Sequence, residues 1–433
     1  MVMYLNKIKI KEIMLKKGYL TQTQLAETLG ITKNQLSVML SEKFNPIKSN
    51  VMNLCEKLDI QPLDIISSEK KEGFQISIDF ANYTVKKKDA KKRQLASKIE
   101  VLELFAGAGG LALGLEQGGL TNICSVEIDK HASETLKINR PHWNVINDDV
   151  RNVDFKAYRP QVVTGGFPCQ SFSYAGKKLG LEDTRGTLFY EFARCIKETK
   201  PILFLAENVR GLISHDDGRT LETILSVFSE LGYNIQYRLL KAVNYGVPQK
   251  RERVIIIGTL SGVDFEYPEP NEEIKVLRDA LKNVPQSEGT QYSTSKKKVL
   301  ELVPPGGYWR DLPIDIQKSY MGKSFFSSGG RTGMARRISW DEPCLTLTCS
   351  PSQKQTERCH PEETRPFTVR EYARIQTFPD DWQFSGGICD KYEQIGNAVP
   401  VRLGFLLGKQ IVKAIENYKS VVGVIKEEEA VSR

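Results

Sequence analysis

From Lys98 onward, short apolar segments alternate with stretches of helical periodicity, and this alternation limits the fold more than any other feature. The apolar segments read IEVLELFAG (99–107), NICSVEID (122–129), QVVTGGF (161–167), ILFLAENV (202–209) and RVIIIG (253–258). Strands that alternate with helices pair in parallel, and the helices then cover the faces of the sheet. The sequence therefore predicts an α/β domain built on a largely parallel sheet.

The alternation stops at residue 259 and a second ordered stretch begins near residue 336. Between them the chain is rich in Gly, Pro and Ser, which is typical of loops. At 433 residues the chain is too long for one typical domain. We predict a core over residues 98–258, a smaller inserted region over 259–335, a return to the core over 336–418 and a tail over 419–433.

Residues 1–67 show a different pattern, that of short helices separated by tight breaks. The segment TQTQLAETLG (21–30) ends in a glycine and is followed by TKNQLSVMLS (32–41). Two short helices joined by a turn with glycine are typical of a helix-turn-helix. The stretch resembles the repressor-type helix-turn-helix family, which predicts a separate all-α amino-terminal domain.

The second helix of that motif would present its first residues to base edges in the major groove. Lys33, Asn34 and Gln35 have the donors and acceptors for this, and Thr32 and Ser37 would lie beside them. A helical bundle used for dimerisation is the alternative interpretation. Residues 68–97 contain the run KKKDAKKR, which we interpret as a charged linker, the alternative being an arm that contacts phosphates.

Composition excludes several classes of protein. The eight cysteines form no CxxC pair and only four histidines are present, so neither a structural metal site nor a disulfide framework is expected. No apolar run reaches the length of a membrane span, and we expect no signal peptide. A reducing, cytoplasmic location follows as the expectation. The net charge of +8 is compatible with a polyanionic partner.

The first strands are followed by residues suited to a nucleoside ligand. FAGAGG (105–110) follows the first strand, and its glycines permit a tight turn and close approach to a ligand. Glu127 ends the second strand, where a carboxylate suits two ribose hydroxyls, and Asp149 lies in NDDV (147–150), in the region of the next strand. A phosphate-cradling loop is the rival interpretation, but no GK[ST] follows the glycines.

The next strand ends at GGFPCQSFS (165–173), where Cys169 directly follows Pro168. A thiol at the carboxyl end of a parallel strand lies where open α/β sheets bind ligands, and a thiolate is a strong nucleophile. ENV (207–209) ends another strand. QKRER (249–253) precedes the last one, and arginines at such a place need an anion or an electron-rich group as partner.

These motifs resemble, in their order, those of the cytosine-5 DNA methyltransferase family. The set continues with RPFTVREYARIQTFPD (365–380) and QIGNAVP (394–400), so the resemblance covers about residues 98–415. It implies a Rossmann-like S-adenosylmethionine-dependent core with a smaller target-recognition domain over 259–335. It also implies duplex DNA as substrate and S-adenosyl-L-methionine as cofactor. Enzymes of this kind often belong to restriction-modification systems, so a cognate endonuclease would be linked in function without forming a stable complex.

The resemblance also implies roles for individual residues. Cys169 would attack carbon 6 of a flipped cytosine, Glu207 would act at N3, and Arg253, with Arg251 nearby, would act at O2. The implied cofactor-binding residues are Phe105, Ala108, Gly110, Glu127, Asp149, Pro168, Asn397, Ala398 and Val399. Gln170 and Ser173 would contact DNA. The charged residues of 365–380 are interpreted as structural, and no metal site is expected.

Two alternatives remain open from the residues alone. An enzyme with these motifs could methylate cytosine in RNA, although the helix-turn-helix and the inserted region favour DNA. The chain could also be a transcriptional repressor with a vestigial enzyme domain, but the intact Cys169, Glu207 and Arg253 argue against this. Both activities could coexist if the amino-terminal domain controls the promoter of the chain's own gene.

Overall fold

The computed structural model describes residues 98–168, 188–271, 273–326 and 329–431, with side chains up to residue 420, and three short strands in the amino-terminal part. The chain divides into two compact units, Met1–Ala96 and Ser97–Arg433. Among the described residues, no helix combines the length and the apolar character needed to cross a membrane.

The amino-terminal unit contains a small antiparallel sheet. Strand β1 (Met3–Asn6) pairs with β2 (Ile66–Ser67) on one side and with β3 (Gly73–Ile76) on the other. The predicted all-α domain did not include this sheet, because strands of two to four residues carry almost no periodicity. Part of the predicted linker over 68–97 is therefore a paired strand. The predicted recognition helix, with residues 33–35, lies outside the described residues.

The larger unit is built on a seven-stranded sheet. Its strands and two short pairing segments are β4 (Ile99–Leu104), β5 (Leu120–Val126), β6 (Val145–Ile146), β7 (Val162–Gly165), β8 (Leu203–Val209), β9 (Asn234–Lys241), β10 (Gln249–Lys250), β11 (Glu252–Thr259) and β12 (Cys344–Leu345). The sheet order is β6-β5-β4-β7-β8-β11-β9, with β10 and β12 paired separately. The first five strands run parallel, and β11 is antiparallel to both of its neighbours. The prediction of a largely parallel α/β sheet is confirmed.

Helices cover both faces of this sheet. The helices of the larger unit are α1 (Gly110–Gly118), α2 (Lys130–Asn139), α3 (Leu188–Thr199), α4 (Arg219–Glu230), α5 (Leu277–Leu281), α6 (Thr294–Leu300), α7 (Ile314–Met321), α8 (Val369–Ile375), α9 (Ile388–Asn397) and α10 (Val401–Val431). Apolar residues of α3 and α4 pack on one face with Phe204, whereas those of α1 and α10 pack on the other with Leu203 and Leu205. Successive residues of β8 thus point to opposite faces, as a strand buried on both sides requires.

Two glycines let α1 lie directly against the carboxyl-terminal part of the chain. A Cβ atom on Gly110 would stand 2.2 Å from the Val399 carbonyl oxygen, and one on Gly114 would stand 2.4 Å from that of Val401. No side chain fits between backbones this close. Since α1 begins at the predicted cofactor loop, the segment around Val399 is pressed against that loop.

A separate, smaller core is formed by residues that follow the last strand of the sheet. It joins buried residues from Tyr292 to Cys359 around Trp309, Met321 and Met334. Phe265 and Tyr267 instead pack on the main sheet. The inserted region predicted over 259–335 therefore begins as a part of the larger core, and its own apolar core continues beyond residue 335. We call residues 292–359 the recognition core, after the target-recognition domain that the sequence predicts in this part of the chain.

In addition to its apolar residues, the recognition core contains buried charged side chains that link its segments. The Glu357 carboxylate is fully buried and lies 2.6 Å from Lys296 Nζ. It also accepts hydrogen bonds from the Tyr320 hydroxyl at 2.7 and 2.8 Å and from the Ala335 amide at 2.5 Å. A buried carboxylate is tolerated only with such partners. Glu357 thus joins three separate segments.

Arg337 has a similar function within the same core. Its guanidinium donates to the carbonyls of Leu300, Val303 and His360, at 2.7, 2.7 and 2.9 Å respectively. It also donates to the Thr364 hydroxyl at 2.8 Å. An arginine has five N–H donors in a planar fork, so one buried side chain can satisfy the carbonyls of several irregular segments.

Candidate active site

The topology of the sheet brings the predicted site residues to one edge. Parallel strands end on the same side, so the loops after β4, β5, β6 and β7 and the end of β8 lie along that edge. Strand β11 runs the other way and therefore begins there. Its register opposite β8 pairs Ile255 with Glu207 and Arg253 with Val209. Residues far apart in sequence thus converge for a purely topological reason.

The glycine loop after β4 is bound directly to Glu127. The Gly107 amide donates to Glu127 Oε2 at 2.7 Å, and the Asp129 amide donates to Oε1 at 2.8 Å. The carboxylate is largely buried, which raises its pKa. A carboxylate held at this point by two backbone amides keeps lone pairs for further donors, such as a pair of hydroxyls.

Phe105 opens this loop in a strained conformation. Its φ is +57°, in the left-handed region that a phenylalanine rarely adopts. Such strain persists where the surrounding structure enforces it, and it often marks a ligand site. The conformation is consistent with the predicted cofactor contact of Phe105.

A second buried carboxylate lies near the same loop. Glu103, on β4, is 2% exposed, and the Thr164 hydroxyl donates to it over 3.4 Å. Burial raises the pKa of Glu103 to about 8, and the nearby Glu127 contributes to the same direction. Our sequence analysis missed Glu103, whose only signal was a charged residue inside an apolar strand.

Ile128 is a further residue that the sequence analysis missed. It follows Glu127 directly and is 66% exposed. The Asn147 side chain donates to the carbonyls of Glu127 and Ile128, at 2.9 and 3.0 Å, and so fixes this turn. An apolar side chain held in solvent beside a carboxylate suits the flat face of a base next to a sugar. The signal was an isoleucine at the end of a strand.

Asp149 follows β6, as predicted, but its carboxylate is already engaged. Arg151 lies 2.5 Å from Asp149 Oδ2 and 2.9 Å from Oδ1. This pairing lowers the pKa of Asp149 to about 2. The carboxylate is therefore ionised at neutral pH and can still accept from an amino group, since Arg151 occupies only part of its lone pairs.

The carboxyl-terminal residues predicted to close the pocket do meet the glycine loop. Ala398 and Val399 are buried, and both lie where a Cβ on Gly110 would collide. Asn397 is exposed next to them, and its Oδ1 accepts from the Cys349 thiol at 3.1 Å. The carbonyl of Ala108 accepts from the Trp382 indole at 3.2 Å.

The structure describes the segment that carries the predicted nucleophile only as far as Pro168. Pro168 is an exposed residue. Cys169, Gln170 and Ser173 lie outside the described residues, so their predicted roles remain predictions. Residues 166–168, which we call the approach to Cys169, follow strand β7 and lie beside residues of β8.

Asn208 holds this approach in place. Its side-chain amide donates to the Phe167 carbonyl at 2.8 Å, and Asn208 is buried. Phe167 precedes Pro168 and Cys169 by one and two residues. The sequence analysis quoted ENV as a motif but gave no role to its asparagine. The structure assigns Asn208 to positioning the strand end that leads to Cys169.

Glu207 lies over the same approach. A Cβ atom on Gly166 would stand 2.7 Å from Glu207 Oε2, so only a glycine leaves room for the carboxylate. Arg253 Nε lies 2.5 Å from Glu207 Oε1, and both side chains are about nine-tenths buried. The structure thus brings together two of the predicted catalytic residues, next to the strand end that precedes the third.

Arg251 does not join this pair. Its side chain is 1% exposed and donates to the carbonyls of Leu347, Gly396 and Asn397, at 3.1, 2.9 and 3.3 Å. Burial strongly lowers its pKa, and the nearby Arg253 contributes. Its contacts fit a positioning role instead of the predicted catalytic one. Arg251 and Arg253 of the QKRER segment thus have different partners, which their shared motif does not reveal.

The charged segment 365–380 satisfies its own charges. Arg365 forms a two-pronged ion pair with Glu371, at 2.7 and 2.9 Å, and Glu371 also accepts from the Thr368 amide. Arg374 pairs with Asp380 at 2.6 Å. These internal pairs agree with the structural role predicted for the segment.

The fold is that of a methyltransferase. The chain aligns with the solved structure of the Schizosaccharomyces pombe Dnmt2 methyltransferase at a TM-score of 0.53 and 18% identity, over 73% of this chain and 99% of that one. At this identity the likeness concerns the fold alone.

Sequence comparison identifies the family. The model of C-5 cytosine-specific DNA methylases matches residues 99–413, so the chain belongs to that family. The Staphylococcus aureus type II methyltransferase M.Sau96I is 52% identical, over 96% of this chain and all of its own length. The Escherichia coli type II methyltransferase M.Eco47II is 62% identical, over 73% of this chain and 79% of its own. A model of Cro/C1-type helix-turn-helix DNA-binding domains matches residues 9–71.

Proposed function

We propose that the chain transfers a methyl group from S-adenosylmethionine to carbon 5 of a cytosine flipped out of a specific duplex DNA sequence. One observation carries the proposal beyond family membership. The buried Glu207–Arg253 pair lies beside the strand end that leads to Cys169. An acid and a cation beside the segment that leads to a cysteine suit the chemistry of a cytosine ring.

Carbon 5 of cytosine is a weak nucleophile, and covalent catalysis solves this problem. Addition of the Cys169 thiolate to carbon 6 gives an enamine whose carbon 5 can attack an electrophilic methyl group. Glu207 would hydrogen-bond N3 and hold the proton there. Arg253 would stabilise the charge that develops on O2 and keep the Glu207 carboxyl in place. Loss of the proton from carbon 5 then allows the thiolate to leave.

The described residues fit the cofactor. S-adenosylmethionine, when bound, supplies the electrophilic methyl group. Glu127 would accept from the ribose hydroxyls, and Asp149 from the adenine amino group. The exposed Ile128 and the strained Phe105 would hold the faces of the adenine. Gly110 lies so close to the Val399 carbonyl that no side chain fits between them. The glycine loop and the carboxyl-terminal segment can therefore line one cofactor pocket. Ala108, Pro168, Asn397 and Ala398 would line the remainder.

The proposed nucleophile can be tested by trapping. In Cys169→Ala, methylation of DNA should be lost while DNA and cofactor still bind. DNA with 5-fluorocytosine at the target should form a covalent complex with the wild type, since fluorine cannot leave as a proton does. Cys389→Ala removes an exposed cysteine of the same chain and should still trap. Turnover of Cys169→Ala within tenfold of wild type, or the absence of a retarded band, would contradict the mechanism.

The cofactor assignment has its own test. Glu127→Ala and Asp149→Ala should each weaken S-adenosylmethionine binding by about 1–3 kcal/mol, the cost of a buried hydrogen bond left unmade. Glu134→Ala removes an exposed carboxylate from α2 and serves as the control. Titration calorimetry measures all three. Unchanged affinity in both site variants would show that the pocket lies elsewhere.

The substrate sequence can be read directly. Bisulfite sequencing of DNA from a host that expresses the chain should show one short sequence modified throughout. A restriction endonuclease gene beside this one would support a modification role in a restriction-modification system. Methylation confined to RNA would instead favour the alternative substrate class.

We propose a second function for the amino-terminal unit, that of a reader of its own promoter. The match of a Cro/C1-type DNA-binding domain to residues 9–71 supports it. Lys33, Asn34 and Gln35 would contact bases. The double variant Asn34→Ala/Gln35→Ala should lose repression of a reporter with the upstream region and keep methylation. Equal repression by the variant would contradict this role, and a footprint confined to methylation sites would favour a dimerisation bundle.

A further inference from the structure

One aromatic side chain of the recognition core stands in solvent. Phe326 ends the 3-10 helix Gly322–Phe326 and is 83% exposed, more than any other large apolar side chain among the described residues. A single exposed apolar residue is ordinary in a soluble protein. Phe326 is of interest because of how the loop around it is built.

The ring of Phe326 is supported from behind. Phe325 contacts it edge to face at 5.1 Å between ring centroids, and the ring of Trp309 lies 6.0 Å from that of Phe325. The Trp309 indole donates to the Gly330 carbonyl at 3.3 Å. The exposed ring therefore contacts an aromatic residue that is itself packed against the recognition core.

The two ends of the loop are fixed by one carboxylate. Glu357 accepts from the Tyr320 hydroxyl before the loop and from the Ala335 amide after it. Arg331 and Ala335 both have left-handed backbone conformations, with φ of +44° and +45°. Strain of this kind is retained only where the structure enforces it, and it is typical of functional loops.

The charge of this stretch suits a polyanion. Residues 316–337 include five Lys or Arg and no Asp or Glu. Arg336 and Arg337 have partners within the protein, and Lys318 and Lys323 are exposed residues on either side of Gly322. An exposed aromatic ring amid positive charge is the combination that binds both the bases and the backbone of a nucleic acid.

We propose that Phe326 inserts into the DNA base stack when the target cytosine is flipped out. This inference rests on the proposed function. A flipped base leaves a gap, and unpairing and unstacking it costs free energy. Proteins that distort DNA fill such gaps with apolar side chains, and an aromatic face stacks on any base. Phe326 would compensate part of the cost of flipping, so its effect should depend on how costly flipping is.

The experiment compares Phe326→Ala with Tyr237→Ala, which removes an exposed aromatic ring from strand β9. Substrates are duplexes with the sequence found by bisulfite sequencing, once with the target cytosine paired to guanine and once mismatched to adenine. Phe326→Ala should lower kcat/KM on the paired duplex by about tenfold, within the range for an aromatic side chain stacked on a base. On the mismatched duplex, where flipping is cheap, the loss should fall to about threefold or less. Tyr237→Ala should match the wild type on both, and the melting temperatures should be unchanged.

Three results would overturn the proposal. The kcat/KM of Phe326→Ala on the paired duplex could equal that of Tyr237→Ala, which would exclude a role of Phe326 in flipping. Its kcat/KM could fall by the same factor on both duplexes, which would indicate an ordinary surface contact with DNA. It could keep full activity but change the oligomeric state in sedimentation, which assigns the ring to a second copy of the chain. Failure of the wild type to methylate either duplex would contradict the proposed function itself and is thereby distinguished.

Discussion

The sheet edge and the recognition core are built in opposite ways. At the edge, each functional side chain follows a regular strand, and hydrogen bonds within the sheet set its position. In the recognition core, short helices and loops are joined by the buried charges of Glu357 and Arg337. The backbone hydrogen bonds of the sheet therefore position the proposed catalytic residues. In the recognition core, a few buried side chains connect segments that do not belong to the sheet.

This difference has a functional consequence. Catalytic groups must be held within fractions of an ångström, and strands provide this with little freedom. A recognition surface has to change between enzymes of different specificity, and loops tolerate such change if a few anchors are kept. The comparison predicts that loss of an anchor affects folding of the recognition core, whereas loss of a catalytic side chain at the edge mainly affects the reaction rate.

The largest effect is expected when the anchor of the recognition core is removed. Glu357→Ala leaves Lys296 and Tyr320 without their buried partner and should cost about 3–5 kcal/mol of unfolding free energy. Chemical unfolding of the full chain measures it, and Glu342→Ala, at an exposed carboxylate, is the control. Replacing both charges, as in Glu357→Leu/Lys296→Met, should restore much of the loss. A loss of unfolding free energy below about 1 kcal/mol in Glu357→Ala would show that the recognition core does not depend on this carboxylate.

Glu207→Gln should act in the opposite way, on rate and not on stability. Its amide retains the shape but cannot hold the proton at N3, so kcat should fall about 100-fold, or ~2.7 kcal/mol in barrier. Glu252→Gln is a matched control on the neighbouring strand, where the carboxylate pairs with the exposed Arg210. Single-turnover kinetics give the rates. Equal rates for the two variants would remove Glu207 from the chemistry.

Gly114→Ala tests how the cofactor loop is held against α10. The new methyl group would meet the Val401 carbonyl and the Gly404 backbone, at 2.4 and 2.7 Å, so the helices must separate at a cost of ~1–3 kcal/mol. S-adenosylmethionine affinity should fall together with the melting temperature. Gly211→Ala, whose methyl group has space, should change neither. A drop in stability with unchanged affinity would separate the helix contact from the pocket.

The last prediction concerns Glu103 and the pH dependence of stability. Its pKa is raised to about 8 by burial, so the folded state keeps a proton that the unfolded chain releases near pH 4.5. Wild-type stability should therefore fall as pH rises from about 4.5 to 8. Glu103→Gln removes this loss and should therefore be more stable than the wild type at pH 8, with no such difference at pH 4.5. Glu100→Gln on the same strand is the control. A constant difference across this range would show that Glu103 is not protonated in the fold.

Much of the sheet edge was predictable because strands and their ends leave local traces. The apolar segments and the polar residues after them predicted that Phe105, Glu127, Asp149 and Glu207 lie at strand ends, and therefore at one edge of the sheet. Parallel pairing alone requires this, since every strand of such a sheet ends on the same side. The order of the motifs then pointed to the family that the comparisons show.

The roles of individual side chains in one motif could not be predicted. Arg251 and Arg253 share the segment QKRER, yet one binds three carbonyls and the other pairs with Glu207. Asn208 fixes a carbonyl on the neighbouring strand. These partners come from other segments, so they exist only after the chain has folded.

The recognition core shows the same limit more strongly. Its loss of periodicity marked the region, but nothing local showed that Glu357 would join Lys296, Tyr320 and Ala335 or that Phe326 would stay in solvent. A charged residue in the sequence usually faces water, and only the packing of distant segments decides that one is buried. The sequence by itself therefore determined the sheet, the order of its functional ends and the chemistry they imply. The tertiary structure decided which side chains act on the substrate and which hold the protein together, because that depends on long-range contacts with no periodic trace.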